Sequence, residues 1–225
     1  MDQLIVILFA CIALPLIMLF FIAKGDSKVL ILFLILGFFV AVFAAFVNSY
    51  VLELSGADPV QITYIFTPVV EELLKALPVL FYALVFRPKK KLLLDSAMMV
   101  GVGFAILENT FLLVNDAAHA TFAWAAIRGL GAGLMHALST YFVAYGISFI
   151  MTKKKKLPIA TYGLLILAIN YHADYNVMAQ SDYRYLTIIF PVLTFAAIMI
   201  GQAKGKKKKK KVALEVTNAK NEVDS

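Results

Sequence analysis

Glu71, Glu72 and Lys75 stand inside the apolar run TPVVEELLKALPV, residues 67–79. At mid-membrane one ionised carboxylate costs about 2.5–3.5 kcal/mol even on a lenient insertion scale, and two neighbouring ones also repel. Lys75 lies four residues after Glu71 and three after Glu72, so on a helix it reaches either. That pairing offsets part of the cost and leaves one carboxyl in excess, which must hold a proton or face water. Pro68 and Pro78 bracket the motif and are expected to kink or interrupt the helix, freeing backbone carbonyls nearby. Taken alone, EELLK is equally compatible with an ion pair that staples helices together.

Three further apolar stretches carry polar groups at comparable depth. DSAMMVGVGFAILENTFLLV holds Glu108 and Asn109 downstream of Gly101 and Gly103, and no cation lies three or four residues from Glu108. IRGLGAGLMHALSTYFVAYG holds Arg128 and His136, with Gly129, Gly131 and Gly133 between them. ILAINYHADYNVMA puts His172 and Asn176 on one helical face and turns Asp174 elsewhere. At 1.5 Å per residue, Glu71 and Glu108 fall roughly 10–15 Å from the outer ends of their segments, His172 near 10 Å and His136 near 15–20 Å. Four helices thus present ionisable groups in one slab, which marks a functional site by the rule for intramembrane charges. Carboxylates and imidazoles, without a Ser-His or Cys-His arrangement, point to water as the nucleophile. A Glu would act as general base, with His and Asn donors stabilising an oxyanion. That set suffices for peptide hydrolysis.

The elements that must position these groups follow from composition. The chain has 225 residues, 62% of them hydrophobic, with a mean hydropathy of +0.85, and lipid is therefore its solvent. Seven segments approach span length, at about 3–23, 29–50, 62–86, 93–115, 122–151, 157–179 and 185–203. They predict an all-α, polytopic helix bundle without internal repeats, in which residues 1–203 form one transmembrane domain. Residues 204–225 form a basic tail expected to be disordered and cytoplasmic. Met1-Asp2-Gln3 lacks the basic start of a secretory signal, so the first segment is expected to be retained. Lys24, Lys28, Arg87, Lys89 to Lys91, Lys153 to Lys156 and the tail lysines follow alternate segments, whereas Glu53, Asp58, Asp116 and Asp182 occupy the other gaps. The positive-inside rule then places the N-terminus outside and the C-terminus inside. Lys206 to Lys211 enforce that topology and offer a contact for anionic lipid headgroups. Cys11 is the only cysteine, which excludes an intrachain disulfide. Nothing points to nucleic acid.

The motifs also carry a resemblance. EELLK at 71–75 resembles the EExxK motif of the PrsW family of intramembrane proteases. Asp95 followed by VGVGFAILEN at 100–109 is similar to that family's next helix, and Arg128 with His136 and HADYN at 172–176 to its later motifs. The resemblance covers about residues 60–180. It departs at AKGDSK, where an acidic proline-containing loop is usual, and at Asp95-Ser96 in place of Asp-Gly. The family is related to the CAAX-processing glutamate proteases; their FxxxH position appears here as Phe104 followed at +4 by Glu108. The resemblance implies an endopeptidase with Glu71, Glu72, Glu108, His136, His172 and Asn176 at its centre, and Lys75, Asn109, Arg128 and Asp95 behind them. It further implies a single-pass, anti-sigma-factor-like substrate cut in the outer half of a prokaryotic plasma membrane, by Glu-activated water and without a cofactor. One alternative is a zinc enzyme that uses Glu72, Glu108, His136 and His172 as ligands. Others are a proton-coupled transporter or membrane binding protein, and a scaffold that recruits a protease.

Overall fold

The structure is a computed structural model that describes residue 22, residues 26–115, residue 118, residues 120–151 and residues 157–223. Helices and turns account for all regular structure among the described residues, so the all-α expectation holds. The apolar segment at about 3–23 lies outside them, apart from residue 22. Each of the other six overlaps a helix: α1 Ser27–Ser55, α2 Thr67–Val85, α3 Lys90–Asn115, α4 Phe122–Ile150, α5 Leu157–Ala179 and α6 Leu186–Val223, the last running on as helix through residues 204–223, expected from the sequence to be disordered. Four of these, α1, α3, α4 and Leu186–Gly205 of α6, are long and apolar enough to cross a membrane. The two that are not, α2 and α5, are the helices whose apolar sequence is interrupted by Glu71, Glu72, Lys75, His172 and Asp174. The chain divides into two units, Met1–Pro191 and Val192–Ser225, and every group of the candidate site belongs to the first.

Small residues set how closely the helices approach. Leu30, Phe33, Gly37, Ala41 and Ala44 are the buried residues of α1, spaced three and four apart so that they form one stripe. That stripe lies on α3. A Cβ on Gly37 would fall 2.3 Å from the Val100 carbonyl oxygen, and one on Gly103 would fall 2.1 Å from that of Leu34. Gly101 does the same between α3 and α4, where a Cβ would lie 2.2 Å from the His136 carbonyl oxygen. The glycines therefore let three backbones touch, which is how close-packed helices associate when lipid supplies no hydrophobic drive between them. Gly103→Ala is expected to lower stability in detergent by about 1–3 kcal/mol, since backbone cannot yield to an added methyl. Thermal unfolding checks this, with Gly163→Ala, which meets nothing within 4 Å, as the unaffected control.

Two helical segments are wound as π-helix, and both flank the polar cluster. Asp58 caps a short turn at Pro59–Gln61 by accepting from the Val60 N–H at 2.9 Å, and Ile62–Phe66 then runs as π-helix into α2. The Thr67 N–H bonds back to Ile62, five residues away. In that register the next donor would serve the Thr63 carbonyl, but residue 68 is proline and has no N–H. The side-chain amide of Asn176 on α5 supplies the missing donor at 3.1 Å. Ile127–Ala132 within α4 is the second π-segment, and there the Arg128 carbonyl accepts from both the Gly133 N–H and Asn109 Nδ2. Such widened turns recur at functional sites.

Candidate functional site

Glu71 and Glu72, adjacent in sequence, project about 100° apart on α2 and meet different neighbours. Glu72 is sealed inside. Its Oε1 accepts from Lys75 Nζ at 2.6 Å, Ser139 Oγ at 2.9 Å and His172 Nδ1 at 2.9 Å. Lys75, equally buried, also contacts His136 Nδ1 at 2.9 Å and lies 4.6 Å from the centroid of the Phe104 ring. The ammonium is thereby placed among a carboxylate, an imidazole and a π-face with no water needed.

These contacts fix the imidazoles. An ammonium only donates, so His136 accepts at Nδ1 and carries its proton at Nε2, where it donates to Glu108 Oε2 at 2.8 Å. Glu108 Oε2 also pairs with Arg128 at 3.0 Å, and Arg128 Nε donates to Asn109 Oδ1 at 3.0 Å. His172 donates from Nδ1 to Glu72, which leaves the lone pair of its Nε2 directed toward Glu71 Oε2, 3.8 Å away. The two rings meet edge to face with centroids 4.9 Å apart.

Counting charges then singles out one group. Lys75 is ion-paired with Glu72 and Arg128 with Glu108, so Glu71 is the surplus carboxyl foreseen from the sequence. Among the described residues its Oε1 accepts a 3.4 Å contact from Asn48 Nδ2, and its buried Oε2 has no hydrogen-bond partner. Glu71, Glu108, Arg128 and Asn176 also line a cavity of about 1320 Å³, whereas Glu72 does not. The cavity walls come from residues flanking the 56–58, 116–121 and 180–185 connections, with Val42, Phe104, Leu107 and Phe111 as apolar lining and Thr63, Thr67 and Gln180 as polar lining.

Of the residues expected from the sequence, Glu71, Glu72, Glu108, His136, His172, Lys75, Asn109 and Arg128 are joined in this network. Asn176 lines the cavity but spends its amide on Thr63. Asp95 is not brought to the site. It pairs with Lys91 on its own helix, thirteen residues before Glu108 and hence roughly 20 Å along the axis. Two contributors were not anticipated. Ser139 lies three residues after His136, on the same helical face. Asn48 extends the Gly37–Ala41–Ala44 stripe of α1 by four residues.

Glu71, His136 and His172 each offer one ligand atom, all within 4.8 Å of one another. Glu72 and Glu108, named as ligands from the sequence, fall outside this triad because each is held by its own cation. Glu71 Oε2 and His172 Nε2 fit a metal ion: both have free lone pairs, and the His172–Glu72 bond is the kind of support that orients a ligating imidazole. His136 does not fit, since both of its ring nitrogens are already hydrogen-bonded.

No curated protein and no solved structure matches the chain. The sequence model of one family, described as PrsW family intramembrane metalloprotease, matches residues 26–202.

Proposed function

The chain belongs to the PrsW family of intramembrane proteases, and from that premise we propose that it hydrolyses a peptide bond of a membrane-anchored protein with water activated by Glu71. The observation that carries this is the position of Glu71, the one carboxyl of three without a cation of its own, at the wall of the cavity. Water from the cavity gives one proton to the Glu71 carboxylate and attacks the scissile carbonyl as hydroxide, its remaining O–H donating a hydrogen bond to His172 Nε2. Arg128, which lines the cavity together with Arg184, faces the oxyanion. Glu71 then passes the proton to the leaving amide nitrogen as the C–N bond breaks. Glu72 and Lys75 hold the two imidazoles in the required tautomers.

In this reading the chain crosses the membrane seven times with its N-terminus outside. The cavity then lies at the outer face of the bundle, opposite Arg87 and Lys89 to Lys91. A single-pass substrate of the anti-sigma-factor type, cut near the outer surface of a prokaryotic plasma membrane, suits that placement. In the same topology Lys206 to Lys211 face anionic headgroups.

A second reading is favoured by the compact triad: a zinc-class ion on Glu71, His136 and His172 would supply a Lewis acid for the water and the carbonyl. Direct activation by Glu71 is preferred because His136 has no lone pair to give. Accordingly, purified protein is expected to keep its activity after exhaustive chelation; activity lost to chelator and restored by zinc would establish the metal instead. Coexpression with single-pass reporters tests the proteolysis itself, with truncated fragments expected from the parent and none from Glu71→Gln or His172→Ala.

A further inference from the structure

Asn48 belongs to α1, a helix that carries none of the motifs discussed above, yet it is the residue that contacts the surplus carboxyl. The stripe that seats α1 on α3 brings it there. Relative to Gly37, residues 41, 44 and 48 lie about 40°, −20° and 20° around the helix, so the crossing at Gly37 and Gly103 fixes the azimuth of Asn48 as well. Its Nδ2 reaches Glu71 Oε1 at 3.4 Å. Among the described residues its buried Oδ1 has no hydrogen-bond partner, and the residue lines the same cavity as Glu71.

A buried amide oxygen without a donor costs about 1–3 kcal/mol, and a packed apolar residue would avoid that. A donor arriving with the substrate would satisfy it. An extended polypeptide brings such a donor in each free backbone N–H, and Asn48 lines the cavity that would receive it. We propose that Asn48 is a substrate-binding and positioning residue: Nδ2 holds Glu71 Oε1 and so orients the carboxyl that activates the water, while Oδ1 accepts a hydrogen bond from a backbone N–H close to the scissile bond. The substrate is thus a locally unwound peptide segment, since a helical one has its N–H groups occupied. This rests on Glu71 being the water-activating carboxyl.

The experiment uses the full chain in detergent and a set of short peptides that the parent cleaves, each N-methylated at one backbone position beside the cut. Asn48→Ala is expected to lower kcat/KM by about 10- to 100-fold, and Asn48→Gln to recover part of that loss. One N-methyl position should be penalised with the parent and not further penalised with Asn48→Ala. Should Asn48→Ala not fold, the same comparison between the parent and Asn48→Gln applies, with a reduced penalty expected at that position. Asn48→Ala within about twofold of the parent, or an identical N-methyl profile in both proteins, overturns the role of Asn48 and leaves the protease standing. Folded parent that cleaves no peptide and no membrane-anchored reporter overturns the protease, and the role of Asn48 with it.

Discussion

Glu71→Gln is expected to lower cleavage by about 10²–10⁴-fold, the range for loss of a general base, while leaving the protein folded. Gln keeps the shape of Glu and an oxygen for Asn48, and no cation is abandoned, because Lys75 is ion-paired with Glu72 and Arg128 with Glu108. Glu72→Gln behaves differently. It removes the charge that Lys75 is buried against, so its first effect is expected in the yield of folded protein, with activity falling as a consequence. Circular dichroism and size exclusion in detergent, run beside the cleavage assay, separate the two. Equal loss of fold in both variants would mean that Glu71 is as much a structural partner as Glu72.

The second large effect is expected at Lys75. Its ammonium and the Glu72 carboxylate are both fully shielded and 2.6 Å apart. Removing one partner of a buried pair costs about 3–5 kcal/mol, because the other charge is left uncompensated. Lys75→Met should therefore unfold at much lower temperature than the parent, or fail to accumulate. Adding Glu72→Gln removes the stranded charge, and the double variant is expected to regain most of the loss although it has one more substitution. Strong non-additivity of this sign is what a coupled pair produces. Lys75→Met as stable as the parent would show that Glu72 has another means of neutralisation.

How far the sequence reached depended on whether the information was local. EELLK, Glu108 and His136 are polar groups in apolar surroundings, so their burial and convergence could be anticipated from cost alone. The division of labour between Glu71 and Glu72 could not. They are neighbours on one helix, and only the placement of Lys75, Ser139 and His172 decides which is sealed and which meets the cavity. Asp95 came in through the family resemblance alone, and thirteen helical residues carry it away from Glu108 to pair with Lys91. The partner of Asn176 turned on a backbone detail, a π-turn meeting a proline that lacks an N–H. Asn48 left a faint signal, a polar residue in register with a small-residue stripe, but nothing local says that such a stripe ends at a carboxylate.

One measurement bears on the centre of the account: hydrolysis in H₂¹⁸O by the purified protein in liposomes with a single-pass substrate, the fragments weighed by mass spectrometry. Water activated at Glu71 predicts a single cut within or beside the apolar segment, ¹⁸O in the new C-terminal carboxylate, and no fragments from Glu71→Gln reconstituted at equal density. Fragments of the same mass and abundance from Glu71→Gln would contradict it.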